Sequence, residues 1–307
     1  MKMNLKSKFR GSLLGTGIGD SLGRTLESCR MVEQEKVKKL AEESETLRYT
    51  DDTQQMISLA ESLVEKKGFD GEHFAERLVE NFDPMRGYGP GSSQVIRNLE
   101  KGNDWDKPAQ RLFGGEGSYG NGSSMRVAPA GLFCYDNLEN LRTFVRDCSR
   151  VTHSHRLGIE GAILQSASVA LATRKETSKK LDSRGFLEEL FGFIKEKEFI
   201  DKLEKIKKLL SQNSSRKKVI QTLGNGVEAF NSVPTAVYSF LSHPEDFADA
   251  VTFAISLGGD ADTIGAMTGA AAGAYHGEGK IPSDWKRKLE DREKLVGLAD
   301  QLAKFKS

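Results

Sequence analysis

Apolar residues recur at spacings of three and four along most of the chain. The clearest examples are residues 56–67, 73–82, 157–172 and 247–257. This spacing is typical of α-helices that bury at least one face. Alternation with period two is rare, and only 7 prolines are present to interrupt helices. The pattern therefore predicts an all-α protein of ten or more helices, and it predicts no strand.

Two segments differ from the rest in their composition. Residues 174–218 are rich in Lys and Glu and carry a sparse apolar stripe, which predicts a peripheral helical segment with a solvated outer face. The tail over residues 285–304 has the same amphipathic character. Neither change is sharp enough to indicate a domain boundary. We therefore expect a single compact multi-helix bundle that covers residues 1–307.

Glycine occurs in two regular stripes, each with one glycine at every fourth residue. The stripes consist of Gly11, Gly15, Gly19 and Gly23, and of Gly265, Gly269, Gly273 and Gly277. Glycine weakens a helix by about 1 kcal/mol per site relative to alanine, so its repeated use needs a compensating gain. Close approach of two helix backbones supplies that gain. The stripes therefore predict tight helix packing at the centre of the bundle, and they are compatible with a site at the helix ends.

Charge and cysteine content restrict the function classes. The 307 residues carry 45 Lys and Arg against 44 Asp and Glu, and this balance argues against a dedicated nucleic-acid binder. Cys29, Cys134 and Cys148 lack metal-like spacing and are expected to be free thiols in a reducing compartment. The longest small and apolar run, residues 264–275, is shorter than the roughly 18 residues that a membrane span needs. We expect a cytoplasmic protein that does not bind membranes.

Two acidic clusters precede predicted helices. Residues 50–53 read TDDT, and residues 258–263 read GGDADT. Each cluster alone is explained by helix capping, which needs one side-chain oxygen. The two clusters together offer more oxygens than two caps need, and neighbouring carboxylates repel unless a cation lies between them. If the two helix starts face each other, they could hold a pair of divalent ions. Oxygen ligands without His or Cys favour Mg²⁺, Ca²⁺ or Mn²⁺ over zinc.

A glycine-rich stretch offers backbone donors for phosphate. Residues 113–126 read FGGEGSYGNGSSMR and contain a formal GxGxxG, but no strand and no βαβ pattern surround it. Unhindered N–H groups in such a loop can still cradle phosphate oxygens. The flanking Phe113 and Tyr119 could stack on a base or could serve packing alone. Residues 86–91, RGYGPG, form a second loop of this kind.

Taken in order, these motifs resemble the ADP-ribosylglycohydrolase family. The matching elements lie between residues 10 and 277 and read RGSLLGTGIGDSLGRTLES, YTDDT, RGYGPG, GSYGNGSSMRVAPAGL, THSHRLGIEGAILQSASVALA, LGNGVEAFNSVPTAVYSFL and SLGGDADTIGAMTGAAAGAYHG. The combination of TDDT with GGDADT is highly specific to the family. The RGYG, GSYGNG and LGNGVEAF…SVPTA elements look most like the branch that removes ADP-ribose from serine and degrades poly(ADP-ribose).

The resemblance implies an all-α bundle with two Mg²⁺ ions in a central cleft, and Mn²⁺ as an alternative ion. It implies Glu27 as the catalytic carboxylate. It implies metal ligands from both acidic clusters, namely Thr50, Asp51, Asp52, Asp260, Asp262 and Thr263. It implies contacts to the ribose, diphosphate and adenine of the substrate, namely Gly87, Tyr88, Gly89, Phe113, Gly117, Ser118, Tyr119, Gly120, Asn121, His153 and Val227.

The predicted function is a Mg²⁺-dependent hydrolase that cleaves the bond between C1″ of ADP-ribose and an acceptor oxygen. Its substrates would be serine-modified proteins, poly(ADP-ribose) and O-acetyl-ADP-ribose, bound by a monomer without duplex nucleic acid. An arginine-directed hydrolase of the same fold is the nearest alternative. A catalytically silent ADP-ribose binder and a purely structural bundle with capped helices are the others. Loss of metal ligands would be expected of a silent relative, and all six are present here.

Overall fold

The apolar and glycine-striped segments fold into α-helices. The computed structural model describes residues 5–212 and 214–306, and over these it contains seventeen α-helices and four short 3₁₀ helices. The α-helices are α1 Leu5–Gly23, α2 Gln34–Glu43, α3 Asp51–Lys66, α4 Gly71–Glu80, α5 Pro90–Glu100, α6 Lys107–Gln110, α7 Ala128–Cys134, α8 Leu138–Arg150, α9 Arg156–Arg174, α10 Ser183–Phe191, α11 Lys197–Ser211, α12 Arg216–Leu223, α13 Ala229–Ser242, α14 Phe247–Ser256, α15 Ala261–His276, α16 Ser283–Lys288 and α17 Arg292–Lys304.

Within the described ranges, extended pairing is limited to two isolated β-bridges. One joins Leu47 to Leu289 and the other joins Gly120 to Glu228. Prediction of an all-α fold is therefore confirmed. The helices share one hydrophobic core to which residues from most of them contribute.

The two glycine stripes face each other along the antiparallel helices α1 and α15. A Cβ atom added to Gly19 would lie 2.0 Å from the carbonyl oxygen of Gly265, and one added to Gly15 would lie 2.1 Å from that of Gly269. No real side chain fits at such distances, so these backbones are in direct contact. The predicted tight packing of the two stripes is confirmed. Burial of both helices on nearly every face explains why neither has a marked polar side.

Close packing of α1 and α15 brings the end of one helix to the start of the other. A Cβ on Gly23, the last residue of α1, would lie 2.4 Å from the Cα atom of Asp262 in the first turn of α15. The start of α15 is set by Gly258 and Gly259, whose φ angles of 68° and 71° suit glycine. The start of α3 is set by Thr50, whose side chain accepts a hydrogen bond from the backbone N–H of Asp52. Both acidic clusters therefore lie at helix N-termini, as expected.

The Lys- and Glu-rich segment forms α10, α11 and α12, each with a buried apolar stripe and an exposed charged face. α11 buries Phe199, Leu203, Ile206 and Leu209, and it contacts α10, α12 and α13. These helices lie at one side of α9 and α13 rather than beside α1 and α15. The prediction that the chain forms a single domain with a peripheral segment over residues 174–218 stays a prediction.

Two further expectations concern the cysteines and membranes. Cys29, Cys134 and Cys148 are all free thiols, as predicted. Of the helices in the described part of the chain, none combines the length and the apolar character needed to cross a membrane.

Candidate active site

The two acidic clusters line one cleft of about 300 Å³. Most of the residues predicted for the site lie along its wall, namely Glu27, Thr50, Asp51, Asp52, Gly87, Gly89, Phe113, Ser118, Gly120, Asn121, His153, Val227, Asp260, Asp262 and Thr263. Three predicted contact residues lie beside the cleft without lining it, namely Tyr88, Gly117 and Tyr119. We call this space the central cleft. The starts of α3 and α15 and the glycine-rich loop all contribute residues to its wall.

Carboxylate oxygens converge at the α15 side of the central cleft. Glu27, Asp260 and Asp262 each offer an oxygen, and these three oxygens lie within 4.8 Å of one another. Asp260 and Asp262 are buried, whereas Glu27 is exposed at the mouth. Nothing in the sequence alone distinguishes Glu27 from other acidic residues, because its place beside the cluster depends on how the loop after α1 folds back.

Backbone hydrogen bonds hold the Glu27 loop against the turn that precedes Asp260. The N–H of Ser28 donates to the carbonyl of Gly259 at 2.7 Å, and the N–H of Gly259 donates to the carbonyl of Cys29 at 2.9 Å. Ser28 adopts a φ of 60°, a left-handed conformation that non-glycine residues rarely take. These contacts place the Glu27 carboxylate next to the predicted metal ligands Asp260 and Asp262.

Electrostatics of the clusters favour a bound cation. Burial, followed by repulsion from Asp20, raises the pKa of Asp51 to about 7. Burial raises the pKa of Asp260 to about 6, and it raises the pKa values of Asp52 and Asp262 well above the usual range. Such a group of carboxylates is stable in its charged form only beside a cation.

One oxygen in the cluster also lacks a protein partner. Asp52 Oδ2 is buried and has no hydrogen-bond partner among the residues that the structure describes. An orphaned buried carboxylate oxygen is costly unless an ion or water satisfies it. This atom and the oxygen-only donor set fit a hard divalent cation.

Asp20 supports the first acidic cluster and was not among the residues predicted for the site. Its carboxylate is fully buried and accepts hydrogen bonds from the N–H groups of Thr50 and Thr53 and from the Thr53 hydroxyl. Asp20 therefore fixes the first turn of α3, from which Asp51 and Asp52 project. The sequence does contain one feature that marks Asp20, which is the one charged residue in the stretch GSLLGTGIGDSLG over residues 11–23.

Asn121 and His153 also line the central cleft, and both have defined hydrogen-bond partners. The side-chain amide of Asn121 donates to Asp260 Oδ2 and, at 2.9 Å, to the Ser232 hydroxyl. His153 is buried, and its Nδ1 lies 2.7 Å from the Thr152 hydroxyl. Burial, with a smaller effect of the nearby Arg126 charge, lowers the pKa of His153 to about 3. His153 is therefore a neutral imidazole at physiological pH.

The glycine-rich loop leaves little room for side chains next to His153. A Cβ on Gly122 would lie 3.0 Å from His153 Nε2, and one on Gly117 would lie 2.1 Å from the Ser154 hydroxyl oxygen. Gly117 also has a φ of 77°. Gly120 pairs with Glu228 in an isolated bridge, which attaches the loop to the segment before α13. Glycines here are needed for close approach of the backbone. The N–H groups of Gly117 and Gly120 donate within the protein, to the Leu112 carbonyl and to the Ser118 hydroxyl.

Aromatic residues surround the mouth of the cleft. Phe113 lines it and is 65% exposed, an unusual state for a phenylalanine. Tyr119 is also exposed, and its ring lies edge-on to His155 with centroids 5.6 Å apart. Tyr88 is half-buried, and its hydroxyl donates to Gln54 Oε1 at 2.8 Å. Phe113 can thus offer a free ring face, whereas the Tyr88 ring packs edge-on against Phe82 with centroids 4.7 Å apart.

Comparisons with known proteins show what the chain is similar to. The sequence model of the ADP-ribosylglycohydrolase family matches residues 1–306. The chain is 38% identical to ADP-ribosylhydrolase ARH3 of Mus musculus over 96% of its length and 91% of that relative. It is 28% identical to ADP-ribosylarginine hydrolase Tri1 of Serratia proteamaculans over 96% of its length and 78% of that relative.

A solved structure is similar as well. The chain superposes on a chain described as "ADP-ribosylglycohydrolase-related protein complex" with a TM-score of 0.73 and 27% identity, and each chain is covered completely. The family match spans nearly every residue, and the mouse relative shares more than a third of its positions. The protein is therefore an enzyme of the ADP-ribosylglycohydrolase family.

Proposed function

We propose that the protein is a Mg²⁺-dependent ADP-ribosylhydrolase that cleaves the C1″–O bond of ADP-ribose attached to serine. Poly(ADP-ribose) and O-acetyl-ADP-ribose, which carry the same kind of bond, are the further proposed substrates. The observation that supports this most is the central cleft, in which Glu27 stands beside Asp260 and Asp262 and which the glycine-rich loop also lines. The name of the mouse relative, an ADP-ribosylhydrolase, agrees with the reaction.

The two acidic clusters would hold the metal. We propose two Mg²⁺ ions, with Mn²⁺ as an alternative, bound by the oxygens of Thr50, Asp51, Asp52, Asp260, Asp262 and Thr263. Bound divalent ions supply Lewis-acid charge that can orient ribose hydroxyls and favour the ionised form of water. The orphaned Asp52 Oδ2 and the raised pKa values of the cluster support this assignment.

Glu27 is the proposed acid or base of the reaction. Cleavage of the glycosidic bond develops oxocarbenium character at the ribose, so the departing oxygen must gain a proton and water must lose one. Glu27 is exposed at the cleft mouth, where a modified protein can reach it, and its oxygen lies near those of Asp260 and Asp262. A carboxylate in this position can transfer the proton to or from either oxygen.

The remaining wall of the cleft would bind the rest of ADP-ribose. The Ser118 hydroxyl accepts from the Gly120 N–H at 3.1 Å, so its own O–H can donate to the diphosphate. His153 is neutral, so it can hydrogen-bond a ribose hydroxyl without adding charge. The exposed ring of Phe113 offers a stacking surface for adenine.

A second candidate function is hydrolysis of ADP-ribosylarginine. It is favoured by the likeness to the Serratia relative, which bears that name, although identity there is 28% against 38% for the mouse protein. Both reactions would use the same cleft and metal. They differ in the leaving group, which is an alkoxide oxygen in one case and a guanidine nitrogen in the other.

Release of ADP-ribose from a serine-linked ADP-ribosyl peptide tests the proposal. The peptide is incubated with the protein in Mg²⁺, with EDTA in a parallel sample and with an arginine-linked peptide as the comparison. Release that depends on Mg²⁺ and is specific for serine supports both the metal and the linkage. Release from the arginine peptide alone would overturn the linkage assignment. No release from either peptide by folded protein would contradict both peptide activities.

A further inference from the structure

Arg126 is a buried cation that the proposed reaction does not use. Its side chain is 1% exposed, and no carboxylate in residues 5–212 or 214–306 lies within ion-pair distance of it. The guanidinium donates to Gln55 Oε1 at 2.9 Å and, at 3.4 Å, to the carbonyls of Gly122 and Cys148. Burial of a charge without an ion-pair partner costs folding free energy. A charge that is buried despite this cost indicates a role beyond packing.

Gln55 connects this cation to a predicted metal ligand. Its side-chain Nε2 donates to Asp51 Oδ2 at 2.8 Å, while its Oε1 accepts from Arg126. A guanidinium has only donors, so the amide oxygen has to face Arg126 and the amide nitrogen has to face Asp51. The orientation of the buried amide is therefore determined by its two neighbours.

We propose that Arg126 and Gln55 are positioning residues, which fix the rotation of the Asp51 carboxylate for binding of a divalent cation. The charge on Arg126 polarises the Gln55 amide and strengthens its hydrogen bond to Asp51. With Oδ2 held by this bond, the direction of Oδ1 is fixed as well. Groups that orient a metal ligand in this way commonly change metal affinity when they are removed.

Through Gln55, Arg126 also links Asp51 to the glycine-rich loop. Arg126 donates to the carbonyl of Gly122 in the glycine-rich loop, and its guanidinium packs over the ring of Phe74 at 5.3 Å. Movement of Arg126 would therefore disturb both a metal ligand and the loop. This inference rests on the proposed metal-dependent function and deepens it.

The substitution Gln55→Met tests the proposal, because methionine keeps the volume of the side chain and removes both hydrogen bonds. Gln165→Met is the matched control. Gln165 is equally buried, and its amide donates to the carbonyl of Met267 at 2.9 Å, so its loss removes a buried glutamine without touching a predicted ligand. Mg²⁺ and Mn²⁺ affinities are measured by calorimetry, and the environment of bound Mn²⁺ is measured by electron paramagnetic resonance.

We expect Gln55→Met to weaken Mg²⁺ and Mn²⁺ binding by about 10–100-fold and to change the Mn²⁺ spectrum. Gln165→Met should leave both unchanged, even where its melting temperature falls by a similar amount. Equal weakening in the two variants, or unchanged affinity in Gln55→Met, would overturn the proposal. Where Gln55→Met does not fold, Gln55→Asn replaces it, since the shorter amide cannot span both contacts and should show the same weakening.

Failure of this inference is distinguishable from failure of the proposed function. If the unmodified protein binds neither ion and cleaves no ADP-ribosyl bond, the proposed metal-dependent function fails, and the inference fails with it. If the unmodified protein binds metal and turns over substrate while Gln55→Met retains its affinity, the inference alone is wrong.

Discussion

The carboxylate of Asp20 accepts a hydrogen bond of 2.6 Å from the hydroxyl of Thr53. Asp20 belongs to α1 and Thr53 to the first turn of α3, so this bond joins the central glycine-striped helix to the first acidic cluster. It fixes the position of Asp51 and Asp52 relative to α15, which packs against α1 and also contacts α3.

Substitution of Asp20 by Asn should weaken both the fold and the metal site. Asparagine keeps one acceptor oxygen, which can take the place of Oδ2 and its three donors. Its NH₂ group then replaces Oδ1 and faces the Thr50 N–H, which lies 2.9 Å from Oδ1, so two donors point at each other. We expect a loss of about 1–3 kcal/mol in the free energy of unfolding, and about 10–100-fold weaker metal binding. Denaturant unfolding measures the free energy of unfolding, and calorimetry measures the metal affinity.

Asp182→Asn is the control for that experiment. Asp182 caps α10, where its side chain accepts from two backbone N–H groups at an exposed position. Asparagine caps helices about as well as aspartate, so stability and metal affinity should both stay near those of the unmodified protein. Unchanged metal affinity in Asp20→Asn would contradict the role given to Asp20.

Alanine at Gly19 should destabilise the protein. Its Cβ would lie 2.0 Å from the Gly265 carbonyl oxygen, so α1 and α15 would have to separate. We expect a loss of about 1–3 kcal/mol or more in thermal or denaturant unfolding. Gly297→Ala is the matched control in α17, because nothing lies within 4 Å of its added Cβ. That variant should gain up to about 1 kcal/mol from helix propensity. Equal effects in both variants would contradict the packing argument.

Replacement of Glu27 by Gln should abolish most of the turnover and leave binding intact. The amide keeps the shape of the side chain but cannot transfer a proton, so we expect turnover to fall by about 10²–10⁴-fold. Affinity for ADP-ribose, measured by calorimetry in Mg²⁺, should change little. Glu43→Gln, at the exposed end of α2, controls for loss of a surface charge. Turnover in Glu27→Gln comparable to that of Glu43→Gln would remove Glu27 from the mechanism.

Metal affinity should rise with pH. Burial raises the pKa of Asp51 to about 7 and those of Asp20 and Asp260 to about 6, above the value of 3.8 in an unfolded chain. Between pH 3.8 and about pH 7 the folded, metal-free protein thus binds more protons than the unfolded chain. The stability of the metal-free protein therefore falls as the pH rises through this range.

Metal ligands must be deprotonated, so binding should release protons and strengthen from about pH 5 to about pH 8. Calorimetry in two buffers with different ionisation enthalpies measures the number released. The melting temperature of the metal-free protein, followed over the same pH range, gives the linked stability. Metal binding without proton release at pH 6 would contradict the raised pKa values.

Much of the fold could be predicted from the order of residue types. Apolar spacing gave the helical class, and the two glycine stripes gave the close pair that became α1 and α15. The stripes were informative because only backbone contact compensates for so many helical glycines. The acidic clusters were also recognisable, since TDDT and GGDADT place oxygens at helix starts whatever the tertiary structure.

The sequence by itself determined which residues offer clustered oxygen atoms at helix starts and which helices must pack without side chains between them. Tertiary structure alone decided that the two helix starts share one cleft, that Asp20 supports the first cluster, and that Gln55 links Arg126 to Asp51. Glu27 lies beside Asp260 because its loop folds onto the Gly258–Gly259 turn, which no local pattern encodes. The physical reason is that local propensity acts over a few residues, whereas these contacts join segments that are 30 to more than 200 positions apart in the chain.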